Sequence, residues 1–414
     1  MMNEAVATAA PAGSAAPAWG AVFSMALGVF GLVTAEFLPA SLLTPMAADL
    51  GVTEGLAGQA VTATAAIGLL ASLLIPAATR GLDRRVVLLG FSGLLVASNL
   101  LAAVASSLPV LIAARLVLGV ALGGFWAMST ATVMRLVPEA AIPRALSMVF
   151  GGVSAATVAA APLGSFLGDQ LGWRAVFLMA AGLGLAAFLA QYATLPRMAA
   201  SATTRFGTLV LVLRRPRVGA GMVAVLMVFT GHFAVFTYVR PFLETVTGVG
   251  IQGVSAILLG FGLANFLGTG LAGPAIARNL KAVLVAMPAL MVVLGLGLVL
   301  AGGTVFGDAV MLALWGMAFG AVPVAWSTWL TRAAPDEAES GGGLIVAAIQ
   351  LAIATGAAAG GVIFDLNGAP GVFLAATLVL AAAALLILTR VRIGPRAAVR
   401  QAGVERAGVR QAGT

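Results

Sequence analysis

The chain has no cysteine, one histidine and one lysine, and only 9% of its 414 residues are charged. The absence of cysteine excludes disulfides, thiolate metal sites and cysteine nucleophiles. A single histidine, His232, excludes a multi-histidine metal centre. The single lysine lies in Arg278-Asn279-Leu280-Lys281-Ala282, so there is no Walker A loop and no means of driving the chain with ATP. No Ser/His/Asp constellation is present either, so neither an enzyme nor a bound metal or cofactor is expected. Soluble proteins carry about a quarter charged residues, and a chain this poor in charge cannot cover a soluble globule. What it has instead is 61% apolar residues and a mean hydropathy of +1.09, the composition of a polytopic membrane protein. The length exceeds a one- or two-helix anchor, since twelve spans of roughly 20 residues use about 240 positions.

Twelve apolar segments succeed one another, at 19–43, 55–79, 86–105, 109–134, 144–168, 173–195, 217–241, 252–273, 282–303, 308–331, 341–364 and 370–390. They are too long and too uniformly apolar for the roughly ten-residue alternating strands of a β-barrel. Residues 1–18, rich in Ala, Pro and Gly, read as a disordered tail and not a signal peptide. With the N-terminus placed inside, 19 of the 22 basic residues fall in inside segments. Of the other three, Arg174 and Arg240 lie at outer ends and Arg115 lies within a span. This asymmetry predicts both termini in the cytoplasm. The net charge of +8 is thus a topology signal. The arginine-rich segment 391–414 reads as a cytoplasmic tail at the membrane surface, with no nucleic-acid partner expected.

The chain also repeats itself. Asp169, Gly172, Val176 and Phe177 recur as Asp365, Gly368, Val372 and Phe373, each 196 residues on. A basic stretch over 196–216, broken at Pro196 and Pro216, lies between the halves. The expected architecture is all-α: six helices over 19–195, a cytoplasmic linker over 196–216, and six helices over 217–390. Parallel repeats of this kind place a substrate site at their interface near the bilayer midplane.

The residues over about 19–390 resemble the major facilitator superfamily, and more closely its twelve-helix drug:proton antiporters. The matching stretches are Arg115-Leu116-Val117-Leu118-Gly119 with Gly123 and Gly124, Ala161-Pro162-Leu163-Gly164, and Gly172-Trp173-Arg174-Ala175-Val176-Phe177. The loop after the second span departs from the family pattern Gly-x-x-x-Asp-Arg-x-Gly-Arg-Arg. With the closing arginines set on Arg84 and Arg85, Pro76 stands at the first glycine, Arg80 at the aspartate and Asp83 at the second glycine. Longer runs are similar to the bacterial purine ribonucleoside efflux pumps. They include Glu36-Phe37-Leu38-Pro39, Ser41-Leu42-Leu43-Thr44-Pro45-Met46, Gly123-Gly124-Phe125-Trp126-Ala127-Met128 and Trp326-Ser327-Thr328-Trp329. The resemblance implies two pseudo-symmetric six-helix bundles in the bacterial inner membrane, acting as a monomer. It also implies proton-coupled export of purine nucleosides such as inosine, adenosine and guanosine. A multidrug or sugar efflux antiporter of the same fold, an uptake symporter and a non-transporting sensor stand as the alternatives.

Glu36 is the leading proton carrier, because a carboxylate inside an otherwise apolar span is costly and marks function. Its plainer reading is a bond to backbone or to a neighbouring helix. Arg115 is the expected electrostatic counterpart. Counting 1.5 Å per residue, Glu36 lies roughly 10 Å and Arg115 roughly 9 Å from the same end of their spans. A structural arginine held by carbonyls is the alternative. His232 is a second candidate for proton coupling, since imidazole titrates near neutrality, against a purely structural role. Nucleoside recognition needs ring faces and hydrogen-bonding groups. Phe125, Trp126, Phe233, Tyr238, Trp326 and Trp329 are candidate walls, with core or lipid packing as their alternative, and Asn265 and Gln350 are candidate polar readers, with bonds to neighbouring helices as theirs. Asp83, Arg84, Arg85 and Arg240 are candidate gating residues. Gly119-x-x-x-Gly123 reads as helix packing.

Overall fold

The computed structural model describes residues 17–199, 218–333 and 338–392. Among these it is all-helical, with eleven α-helices and one short 3-10 turn at Glu139–Ala141. The helices are α1 Trp19–Ser41, α2 Leu43–Leu50, α3 Glu54–Ala78, α4 Arg84–Ala103, α5 Leu108–Leu136 and α6 Ile142–Leu171. They continue as α7 Trp173–Thr194, α8 Gly219–Thr245, α9 Ile251–Ala301, α10 Val305–Ala333 and α11 Ala338–Arg390. Ten are long and apolar enough to cross a membrane, two fewer than the twelve segments expected. The difference lies in α9 and α11. A 51-residue helix such as α9 spans about 76 Å at 1.5 Å per residue, against about 30 Å of hydrocarbon. Its backbone leaves helical geometry at Asn279 (φ −155°, ψ 97°). The Asn279 side-chain oxygen accepts the Ala282 amide at 3.0 Å, so the residue that breaks the helix also caps the helical stretch after it. In α11 the break is Gly368 (φ 66°, ψ −172°).

Gly368 is the repeat partner of Gly172, which takes φ 83° before α7. Both positions need left-handed φ, which glycine adopts at no steric cost. After each, the repeated Val and Phe turn inward: Val176 and Phe177 in one half, Val372 and Phe373 in the other, are buried. The sequence repeat thus marks one local structure used twice.

The helix crossings repeat as well. Lipid tails are as apolar as Leu, so close backbone approach through small residues drives helix association here. A Cβ on Gly119 would sit 2.5 Å from the Thr64 carbonyl oxygen, and one on Gly123 would overlap that of Gly68. In the second half a Cβ on Gly316 or Gly320 would overlap the carbonyl oxygens of Phe261 and Asn265. Each of these four residues lies 197 positions after its counterpart.

The basic loop between α3 and α4 is fastened inside its own half. Asp83 caps α4, accepting the Arg85 amide at 2.8 Å and the Met198 amide at 3.2 Å. Buried Arg84 donates to the Thr79 hydroxyl, and Arg85 donates to the Tyr192 carbonyl at 2.6 Å. These three candidate gating residues join α4 to α3, to α7 and to the segment after α7. The expected tails and the linker over 196–216 fall largely outside the described residues.

Candidate functional site

Glu36 and Arg115 meet, but not as an ion pair. Pro39 has no N–H, so the Ala35 carbonyl, four residues earlier, loses its helical partner. Arg115 fills the gap, donating from Nη1 to the Ala35 oxygen at 2.9 Å. Its Nη2 reaches the backbone oxygen of Glu36 at 3.4 Å, and its Nε donates to the Thr64 hydroxyl at 3.0 Å. The guanidinium is fully buried and ties α5 to α1 and α3.

The carboxyl of Glu36 points the other way, into a narrow cavity between the halves. Phe37, Val61, Phe233, Phe236 and Ile353 line it. Glu36 is 7% exposed, and its Oε1 has no hydrogen-bond partner among the described residues. The Gln350 amide faces the carboxyl from α11, yet its Nε2 is also buried and unpartnered. Gln350 packs against the backbone at Gly68, where a Cβ would meet Nε2 at 2.6 Å. A carboxyl and an amide thus approach one another across the junction of the halves without a hydrogen bond of normal length. Buried polar atoms without partners are rare and costly, so this is where a proton or a polar ligand gains most by binding.

Phe236 is shared between this cavity and a second one inside the second half, lined also by His232, Ile257, Phe261, Leu312 and Trp315. The His232 ring stacks on Phe319 with centroids 3.3 Å apart and planes 2° apart. Its Nδ1 accepts from Trp315 Nε1 at 3.2 Å.

The end of the molecule beyond Glu36 is closed by four hydrogen bonds between the halves. Here too a proline frees a backbone acceptor. Pro45 cannot donate to the Ser41 carbonyl, and α1 gives way to α2 at Leu42. Arg240 Nη1 donates to that freed oxygen. Its Nε holds Glu244 at 2.8 Å, and Glu244 in turn accepts the Thr44 hydroxyl at 2.6 Å. Pro241 has a kink at Tyr238 on its N-terminal side (φ −109°, ψ 15°), as proline produces. Asp365 on α11 supplies the remaining two bonds, accepting from the Thr53 hydroxyl at 2.9 Å and the Gly55 amide at 3.2 Å. Removing Arg240 takes away one bond between the halves, to Ser41, and the hold on Glu244 within α8. Arg240→Ala is expected to raise the open population at this end by about tenfold, for a loss of about 1.4 kcal/mol. Spin labels on cysteines placed at Gln170 and Asn367 would read it as a longer distance component. The chain has no cysteine of its own to interfere.

The other candidate residues lie elsewhere. Tyr238 belongs to the closure: fully buried, it donates to the Ala357 carbonyl at 3.0 Å and stacks on Phe364. Phe125 is buried in the first-half core beside Gly28. Trp126 stacks on Phe150. Asn265 donates to the Gly316 carbonyl at the α9–α10 crossing. Trp326 and Trp329 pack edge to face in the second-half core, and Trp329 donates to the Arg392 carbonyl. The structure therefore gathers Glu36, Arg115, Gln350 and Phe233 and leaves the other aromatics in helix packing. It adds Phe37, Phe236, Phe319 and Trp315, which sequence reasoning does not single out. A signal exists, since Phe236 and Phe319 each sit four residues after His232 and Trp315, on the same helix faces.

Residues 25–346 match the family model described as Major Facilitator Superfamily. The chain is 44% identical over 395 residues to the purine ribonucleoside efflux pump NepI of Salmonella enteritidis, and equally to that of Salmonella typhimurium. Each match covers 95% of this chain and 100% of the relative. Among solved structures, the fold is similar to a bacterial homolog of the human lysosomal transporter Spinster, in an inward-facing and unoccupied conformation. That match has a TM-score of 0.71 at 14% identity, covering 92% of this chain and 98% of the other. The human organic anion transporter MFSD10 aligns with a TM-score of 0.65 at 19% identity, over 90% of this chain and 100% of the other. With the family model spanning most of its length and relatives this similar over nearly all of it, the chain belongs to the major facilitator superfamily of membrane transporters.

Proposed function

We propose that this transporter is a proton-coupled antiporter that exports purine ribonucleosides, such as inosine, adenosine and guanosine, across the bacterial inner membrane. The substrate class comes from the relatives named as purine ribonucleoside efflux pumps. The coupling rests on one observation: the Glu36 carboxyl is buried at the junction of the halves with its Oε1 lacking a hydrogen bond of normal length, and the Gln350 amide is the polar group beside it. A proton and a polar nucleoside would compete for that oxygen, which is the requirement for exchange.

The architecture in this reading is twelve spans in two six-helix bundles, over 19–195 and 217–390, with both termini cytoplasmic. The breaks at Asn279 and Gly368 support it by dividing α9 and α11. The paired glycine crossings support two matched bundles, and the arginine asymmetry supports the orientation. The bundles rock about the Glu36 cavity, closed on the outer side by Arg240, Glu244, Thr44 and Asp365.

The test is transport in proteoliposomes under an imposed pH gradient, with radiolabelled inosine and a hydrophobic cation as comparator. Gradient-driven movement of inosine is expected. Movement of the cation without inosine would overturn the nucleoside assignment and leave a multidrug antiporter.

A further inference from the structure

We infer that His232 is a fixed neutral hydrogen-bond donor for the transported purine, with Trp315 as the positioning residue that sets its tautomer. Indole nitrogen can only donate, and neutral imidazole has one donor and one acceptor nitrogen. The bond from Trp315 Nε1 to His232 Nδ1 therefore makes Nδ1 the acceptor and puts the proton on Nε2. An imidazolium carries N–H on both nitrogens and would turn a donor on the Trp315 donor. The ring plane is held as well, by the parallel Phe319 face at 3.3 Å.

His232 Nε2 has no protein partner among the described residues, although the residue is only 3% exposed. His232 lines the cavity between α8, α9 and α10, which in this closed state has room of only about 10 Å³, so a purine ring would meet the N–H as these helices part. The rest of that wall is apolar or aromatic, including Phe236, Phe261 and Leu312. One N–H in an aromatic wall suits a planar heteroaromatic ring that offers an acceptor at its edge, as purines do through ring nitrogen and exocyclic oxygen. Phe236 joins this wall to the Glu36 cavity, so donor and carboxyl flank one aromatic surface. In this assignment Glu36 exchanges the proton and His232 reads the base.

The assignment rests on the nucleoside reading above, and one feature lets the two be tested apart. With a single histidine in the chain, selective nitrogen-15 labelling of histidine gives an imidazole spectrum from one residue. In lipid at neutral pH the expected spectrum is one tautomer, Nε2 protonated and Nδ1 not. Trp315→Phe, which keeps an aromatic ring but loses the N–H, is expected to mix the tautomers. Inosine is expected to shift the Nε2 resonance. In transport, His232→Leu should raise KM for inosine about tenfold with much less change in kcat, the value of one lost hydrogen bond to a bound ligand. His232→Gln, which restores an N–H near the Nε2 position, should recover most of that loss. An imidazolium, or a proton on Nδ1, would overturn the pairing. Inosine transport without any Nε2 shift would overturn the donor role. A wild-type chain that moves no inosine would count against the functional reading itself.

Discussion

Glu36→Gln is expected to abolish gradient-driven inosine accumulation while leaving inosine–inosine counterflow. For exchange of one proton, a gradient of about one pH unit sustains about a tenfold concentration ratio, since each unit is worth about 1.4 kcal/mol. In the variant that ratio should fall to about one. Glutamine keeps the size and can still bond a ligand, but it cannot release a proton. The backbone anchor is untouched, because Arg115 holds the Ala35 and Glu36 carbonyls and not the carboxyl. The variant should therefore fold, and counterflow reports that. Accumulation that survives in Glu36→Gln would move the proton site elsewhere.

The second large effect concerns stability. Gly123→Leu and Gly320→Leu should each cost more than about 4 kcal/mol or prevent folding, the range reserved for severe overpacking. A Cβ at either position would overlap a carbonyl oxygen, and that obstacle is backbone, which cannot rotate away. Gly90, where a Cβ meets nothing within 4 Å, is the control. Gly90→Leu should stay within about 0.5 kcal/mol of wild type. Thermal unfolding followed by size-exclusion chromatography in detergent would rank the three. Equal destabilisation at all three sites would contradict the packing argument.

The apolar helices and the half-repeat are legible in the residues because each leaves a pattern along the chain: long apolar runs, and Gly, Val and Phe recurring at a fixed offset. The aromatic assignments are not legible. In a membrane protein, a helix face toward lipid and one toward a neighbour are both apolar, so periodicity does not separate Trp326 from Phe236. The arginine contacts do carry a signal, in the prolines. Pro39 and Pro45 each strip a carbonyl four residues back of its donor, and Arg115 and Arg240 bind those two oxygens. Asp83, expected to gate, caps α4, as an Asp directly before a helical run often does. The break at Asn279 falls in the gap between the apolar segments 252–273 and 282–303, beside Arg278 and Lys281, although no long loop marks it.

The closure between the halves has a further property. At its centre Gly55 meets the Gly361 backbone, and Gly58 meets the Tyr238 hydroxyl. Contact of backbone on backbone freezes almost no rotamers, whereas ordering a long side chain costs up to about 2 kcal/mol of entropy. The glycine contact at the centre therefore adds little to the side-chain ordering, which falls on the rim groups Arg240, Glu244 and Asp365. Such a centre parts along backbone surfaces that keep their shape, so opening there needs no change of side-chain packing.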